Sequence, residues 1–171
     1  METKIIIAGP EHWQEYKTIR LKALKADPIA FGVTYEQDVL LSEEEWKERL
    51  FNPFSQTYLA MANDKPVALA TVRREKAKNV EHLATINSVF TDPEFRQHGI
   101  SSKILKNILD DLHANDKTVK VRLSVNVAQE SARKMYEKSG FFKVAILPKE
   151  MKVNEKYYDQ IEMAYIFKDK L

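Results

Sequence analysis

At its centre the chain reads Val89-Phe90-Thr91-Asp92-Pro93-Glu94-Phe95-Arg96-Gln97-His98-Gly99-Ile100-Ser101-Ser102. Residues up to Thr91 are strand formers, and Asp92-Pro93 breaks the run. A helix then begins near Gly99, because Ile100, Ile104, Leu105, Ile108, Leu109 and Leu112 form one apolar stripe on an otherwise polar segment. A helix N-terminus presents unpaired amides and roughly half a positive charge, so this junction suits a phosphate or pyrophosphate. Glycine at position 99 lets a ligand approach the backbone. The lysine of a Walker loop and the three-glycine turn of a dinucleotide fold are both missing, which argues against an NTPase and a dinucleotide enzyme. Taken alone, the junction also fits a plain tight turn entering a packed helix.

Before this stretch, residues 4–8 read as a short strand, Gly9-Pro10 as a turn into a helix carrying Trp13, Tyr16, Ile19, Ala23 and Leu24, and Asp27-Pro28 as its end. Ser42 and Glu45 form a capping box, with Leu41 and Trp46 as its hydrophobic staple, so a second helix is predicted from about Glu43 to Phe51. Tyr58 to Ala62, Pro66 to Arg73 and Leu83 to Thr91 read as a three-stranded meander. After the central helix come a strand at Val119 to Val125, a helix from about Glu130 to Ser139 ended by Gly140 in a left-handed cap, and strands at 141–147 and 160–167. Strands first and then alternating helix and strand point to a mixed α/β sheet.

The length of 171 residues, with 44% hydrophobic and 30% charged, is that of one globular domain over residues 1–171. Lys plus Arg is 27 against 25 for Asp plus Glu, a formal charge of +2, too small a surplus for a nucleic-acid surface. No cysteine is present, which removes disulfides, Cys-ligated metals and any thioester carried on the protein. The N-terminal apolar run is shorter than a secretory h-region, and no stretch approaches a membrane span, so a soluble cytoplasmic protein is expected, with neither nucleic acid nor membrane as partner.

The Arg96-x-x-Gly99-x-Ser101 stretch resembles motif A of the GNAT superfamily of acyl-CoA-dependent N-acetyltransferases, whose phosphate loop follows Arg/Gln-x-x-Gly-x-Gly/Ala. Ala132-Arg133-Lys134-Met135-Tyr136-Glu137-Lys138-Ser139-Gly140-Phe141 is similar to the family's Ala-x-x-Leu-Tyr-Glu-Lys-x-Gly-Phe, and Arg20 to Leu24 with Asp27 to Gly32 resembles the opening of many members. The matches stand in the family's order over nearly the whole chain. The resemblance implies a single α/β (α+β) domain with a mixed, mostly antiparallel sheet of about seven strands flanked by about four helices.

It further implies acetyl-CoA as co-substrate, with no metal. The strand ending at Thr91 should splay from the strand at Val119 to Val125, leaving backbone at Val89, Phe90 and Thr91 for the pantetheine amides. The amides of Gln97, His98, Gly99, Ile100, Ser101 and Ser102 would hold the pyrophosphate, Arg96 would shape the loop, and the Ser101 hydroxyl could add a hydrogen bond. Gln129 stands where many members have an asparagine on the pantetheine, and Asn126 is its alternative; both also suit a helix cap. Tyr136 is the candidate general acid or thiolate partner, against the plainer reading of a core tyrosine.

Some members carry a glutamate base where this chain has Thr85. Glu81 acting through a water is the remaining candidate, and period-2 parity puts Glu81, Thr85, Asn87 and Val89 on one face. Lack of an obvious base favours a weakly basic amine. For the acceptor, Phe31, Tyr35, Tyr157 and Tyr158 are candidate walls, Asn87 a candidate contact, and Glu36, Asp38, Glu155 and Asp159 candidate ammonium partners. The implied activity is transfer of acetyl from acetyl-CoA to a primary amine of a small molecule or peptide by direct attack in a ternary complex. The alternative is a CoA-binding regulatory or interaction domain of the same fold without turnover. A second copy of the chain, as a homodimer, is the candidate assembly.

Overall fold

A computed structural model describes residues 2–114 and 117–171. Its elements are β1 (Lys4–Ala8), α1 (Trp13–Ala26), α2 (Tyr35–Asp38), α3 (Glu43–Phe51), β2 (Ser55–Ala62), β3 (Lys65–Arg74), β4 (Leu83–Thr91), α4 (Ile100–Ala114), β5 (Lys120–Asn126), α5 (Glu130–Lys138), β6 (Phe142–Val153) and β7 (Lys156–Ile166). The strands form one sheet in the order β1-β2-β3-β4-β5-β7-β6. Every pairing is antiparallel except β4 with β5. Among the described residues no helix is long and apolar enough to cross a membrane.

Two apolar layers sandwich the sheet. The α4 stripe, including Ile100, Ile104, Ile108 and Leu112, packs with Tyr136 and Phe141 over one face, against Ala84, Ile86, Val121 and Met163. Tyr16, Ile19, Ala23 and Leu24 of α1 pack with Trp46 and Leu50 of α3 over the other, against Leu59, Leu69 and Phe90. The capping box at α3 forms as read: the Glu45 amide donates to Ser42 Oγ at 3.2 Å and the Ser42 amide to Glu45 Oε2 at 2.8 Å.

The sequence reading differs from the structure in three places. Tyr35 to Asp38, where the sequence predicts no element, form the single turn α2, capped by Thr34 Oγ1 accepting from the Gln37 amide. The last two strands are longer than read, because Asn154 (φ 48°) and Glu155 (φ 63°) make a two-residue hairpin turn between Val153 and Lys156, while Pro148 to Glu150 are absorbed as an irregularity in β6. In β4, Ser88 and Val89 together face Ala70 of β3, a bulge whose first residue sits at φ 56°. The bulge breaks the parity predicted for Asn87 and Val89: Val89 packs on the α4 layer together with Ile86.

Candidate functional site

β4 and β5 pair only at Leu83 with Lys120, Ala84 with Val121 and Thr85 with Arg122. Beyond these, β4 stays with β3 through Thr91 while β5 stays with β7 through Asn126. The bulge at Ser88 adds bend at the point of departure, since an extra residue on one strand increases local twist. A wedge opens between the two strands, and the backbone edge of β4 beyond Thr85 has no strand partner on that side.

One flank of the wedge is a cavity of about 610 Å³. It is lined by Val89, Phe90 and Thr91 from β4, by Arg96, Gln97, Gly99, Ile100, Ser101 and Ser102 from the following turn and α4, and by Gln129, Ala132, Met135 and Tyr136 from the start and body of α5. The turn is built to aim amides outward. Gln97 (φ 66°) and Gly99 (φ 72°) both take left-handed conformations, and among the described residues no acceptor meets the amides of Gln97 to Ser102. Such alternation curls successive N–H groups into an anion-binding concavity, here at the positive end of a helix. A Cβ built on Gly99 would have no atom within 4 Å, so that side of the glycine faces open space.

The neighbouring side chains brace this turn. Arg96 donates through Nε to the Thr91 carbonyl at 3.0 Å and through Nη2 to Asp27 Oδ2 at 2.5 Å. The Thr91 and Ser101 hydroxyls share a hydrogen bond of 2.7 Å, so the Ser101 hydroxyl ties the end of β4 to the first turn of α4. His98 turns away: its Nδ1 lies 2.8 Å from the Arg96 carbonyl, and its side chain does not line the cavity. Lys22 pairs with buried Asp92 and anchors α1 to the same turn.

A second cavity, of about 300 Å³, lies on the other flank. Asn87, Ser88, Ser124, Asn126, Met151 and Gln160 line it, with Ile29, Ala30 and Gly32 from the α1–α2 connection. Val89, Gln129, Ala132 and Tyr136 line both cavities and mark where they meet. Tyr136 is 5% exposed, and its hydroxyl has no hydrogen-bond partner among the described residues. Burial pushes its phenol upward, so the hydroxyl keeps its proton at neutral pH. Asn126 closes an Asx turn ahead of α5, its Oδ1 accepting from the Ala128 amide at 2.9 Å, while Gln129 occupies the N-cap position of α5 with no side-chain cap bond.

Of the other residues singled out from sequence, Asn87 lines the second cavity and Phe31, Tyr35, Glu36 and Tyr158 do not. Phe31 is buried beneath the Arg20 guanidinium, 4.6 Å from its ring centre. Tyr35 stacks under Lys25, Glu36 is exposed, and Tyr158 lies under Lys156. The acidic candidates are already committed: Glu155 to Lys152, Asp159 to the Lys149 amide and Asp38 to two arginines. Glu81 is ion-paired with Lys117 at 2.8 Å, before the start of β4, and lines neither cavity.

The arginine pair was not foreseen from sequence. Asp38, 2% exposed, accepts from Arg20 Nε at 3.1 Å and from Arg49 Nη1 and Nη2 at 3.1 and 2.9 Å. Burial alone would raise its pKa, but hydrogen bonds and charge from Arg49 and Arg20 outweigh this and hold the carboxyl below the usual range. Arg20 Nη1 also donates to Ser88 Oγ at 2.9 Å, so the same cluster grips the bulge that starts the wedge.

The acetyltransferase (GNAT) domain family model matches residues 31–157. The uncharacterized N-acetyltransferase YafP of Escherichia coli (strain K12) is 29% identical over 101 residues, which cover 59% of this chain and 54% of that protein. The chain thus spans about half the length of that relative. The fold is similar to that of an acetyltransferase of the GNAT family from Streptococcus pneumoniae, with a TM-score of 0.87 and 20% identity over 97% of this chain and 100% of the other. It is likewise similar to an N-acetyltransferase from Staphylococcus aureus Mu50, with a TM-score of 0.81 and 16% identity over 98% of this chain and 100% of the other. The splayed strands and the amide-lined turn agree with this match, and the chain belongs to the GNAT family of acetyltransferases.

Proposed function

We propose that the protein transfers the acetyl group of acetyl-CoA to a primary amine of a small molecule or peptide by direct attack in a ternary complex. The observation that carries this reading is the meeting of two cavities at Tyr136, one flanked by the unpaired amides of Gln97 to Ser102 and the other by uncharged polar side chains. The amides, with Arg96 and Lys138 at the cavity margin, fit a diphosphate, and the free edge of β4 near Val89 to Thr91 fits the amides of a pantetheine arm. Acetyl-CoA brings an acyl group already activated as a thioester. With no cysteine in the chain, the amine's lone pair forms the C–N bond directly as the C–S bond breaks, and one N–H proton ends on sulfur. Tyr136 donates a hydrogen bond where charge develops on the leaving sulfur.

Thiol release in the presence of a panel of amines tests this reading. Tyr136→Phe removes one hydrogen bond to a charged group, about 1.5–3 kcal/mol, so kcat should fall about 10- to 100-fold with acetyl-CoA affinity changed little. Undiminished kcat would remove Tyr136 from this role. Ser101→Ala should weaken acetyl-CoA binding, followed by calorimetric titration, by no more than about 0.5–1.5 kcal/mol, since it deletes a neutral hydrogen bond to Thr91. A protein that binds acetyl-CoA yet releases no thiol with any amine would be a binding domain and not a transferase.

A further inference from the structure

Among the described residues, no Asp, Glu, Lys, Arg or His lines the second cavity. Its polar surface is hydroxyl and carboxamide, with Ser124, Asn126 and Gln160 among the groups present. Two cations touch this lining from behind. Arg20 from α1 donates to Ser88 Oγ at 2.9 Å, and Arg122 from β5 approaches Thr85 Oγ1 at 3.4 Å. Their counter-ions lie one step farther out: Asp38, shared between Arg20 and Arg49, and Glu75, paired with Arg122 at 3.1 Å. From α5 only the Tyr136 phenol faces in, and burial keeps it protonated. From β6 and β7 come Met151 and Gln160; Glu162, half-buried and opposite Ser124 in the β5–β7 register, stands beside the lining without being part of it, and Asp159 is turned to the Lys149 amide.

An ammonium entering such a cavity is stripped of water without a carboxylate on the lining to meet it. A neutral amine meets hydrogen-bonding groups that suit it. No side chain on the lining is fit to remove a proton near pH 7. Resting on the proposed transfer reaction, we infer that the protein takes its acceptor as the free base and supplies no general base, so its substrates are weakly basic primary amines such as α-amines, and not lysine-type alkyl amines. The acceptor ammonium first releases a proton to solvent. The neutral amine then attacks the thioester as described above, and the second proton leaves with the thiol.

The discriminating quantity is the fraction of free amine. At pH 7 roughly 1 in 10 of α-amines of pKa about 8 is neutral, against about 1 in 2,500 of lysine-type amines of pKa about 10.4. Greater intrinsic nucleophilicity of the more basic amine recovers part of this gap.

The test measures kcat/KM by thiol release at saturating acetyl-CoA, from pH 6 to 9, for an amino-acid amide with a free α-amine and for a lysine amide with its α-amine blocked. At pH 7 the α-amine should be preferred at least about tenfold. The α-amine profile should rise about tenfold per pH unit and level off near 8, while the lysine-type profile keeps rising through pH 9. Asn87→Asp, which places a carboxylate on the lining with little change of shape, should narrow the preference about tenfold or more. Profiles that level off at one shared pH below both amine pKa values would reveal a protein base and overturn the inference. So would equal or better use of the lysine-type amine, or a preference untouched by Asn87→Asp. Bound acetyl-CoA with no thiol released from any amine would overturn the transfer reaction itself, a result distinct from these.

Discussion

Gly99→Val is expected to weaken acetyl-CoA binding at least about 100-fold while the protein still folds. Gly99 sits at φ 72° in the turn between β4 and α4, and the side where a Cβ would stand is open space that belongs to the first cavity. An isopropyl group there would occupy the approach to the amides of Gln97 to Ser102. Loss of even two hydrogen bonds from these amides to a diphosphate, at about 1.5–3 kcal/mol each, accounts for a fall of that size. A β-branched residue at positive φ also strains the fold by about 1–2 kcal/mol, because its Cβ crowds the following carbonyl. Denaturant unfolding separates the two effects: the midpoint should move modestly while the calorimetric binding constant collapses. Gly99→Ala should show nearly the same strain with a smaller loss of binding. A Gly99→Val protein that binds acetyl-CoA like the parent would remove the turn from the binding site.

Asp38→Ala should destabilise the protein by about 3 kcal/mol or more, measured as the shift in unfolding free energy. Removing the carboxylate leaves the Arg20 guanidinium, on a residue 7% exposed, without its counter-ion, and breaking a buried pair in this way costs about 3–5 kcal/mol. Arg49 is 35% exposed and turns to water more easily, which places the expectation near the lower end. The same pair makes stability depend on pH. Asp38's carboxyl lies lower in the folded chain than in the unfolded one, so its contribution is fully present above the unfolded value of about 3.9 and is lost as pH falls through the folded value. In Asp38→Ala that part of the acid dependence should vanish. Because Arg20 also holds Ser88, the variant should bind acetyl-CoA more weakly than its lost stability alone explains.

Local chemistry makes much of this legible in the sequence alone. The Ser42 and Glu45 box, the α4 stripe and the Gly140 cap at φ 93° all depend on residues within a few positions of one another, and each stands where the sequence placed it. The turn at Gly99 was legible for the same reason. What escaped reading depends on partners far along the chain. The Ser88 bulge is held by Arg20, 68 positions away, and nothing in Asn87-Ser88-Val89 itself marks an extra residue. Asp38 was read as free to meet an ammonium, because its partners Arg20 and Arg49 meet it only once α1 and α3 pack on the same face. Gln160 reached the second cavity unannounced: its register opposite Asn126 and Leu147 follows from a hairpin turn at Asn154 and Glu155 that takes two left-handed residues without a glycine.

The most direct measurement is a titration of isotopically labelled protein with acetyl-CoA, followed through its backbone amide resonances. The amides of Gln97 to Ser102 should shift most, joined by residues 86–91 on the free edge of β4, with Gly99→Val silent at the same concentrations. A titration that leaves 97–102 unmoved while acetyl-CoA binds elsewhere, or that moves no resonance at all, would contradict the assignment of this turn as the site of the diphosphate.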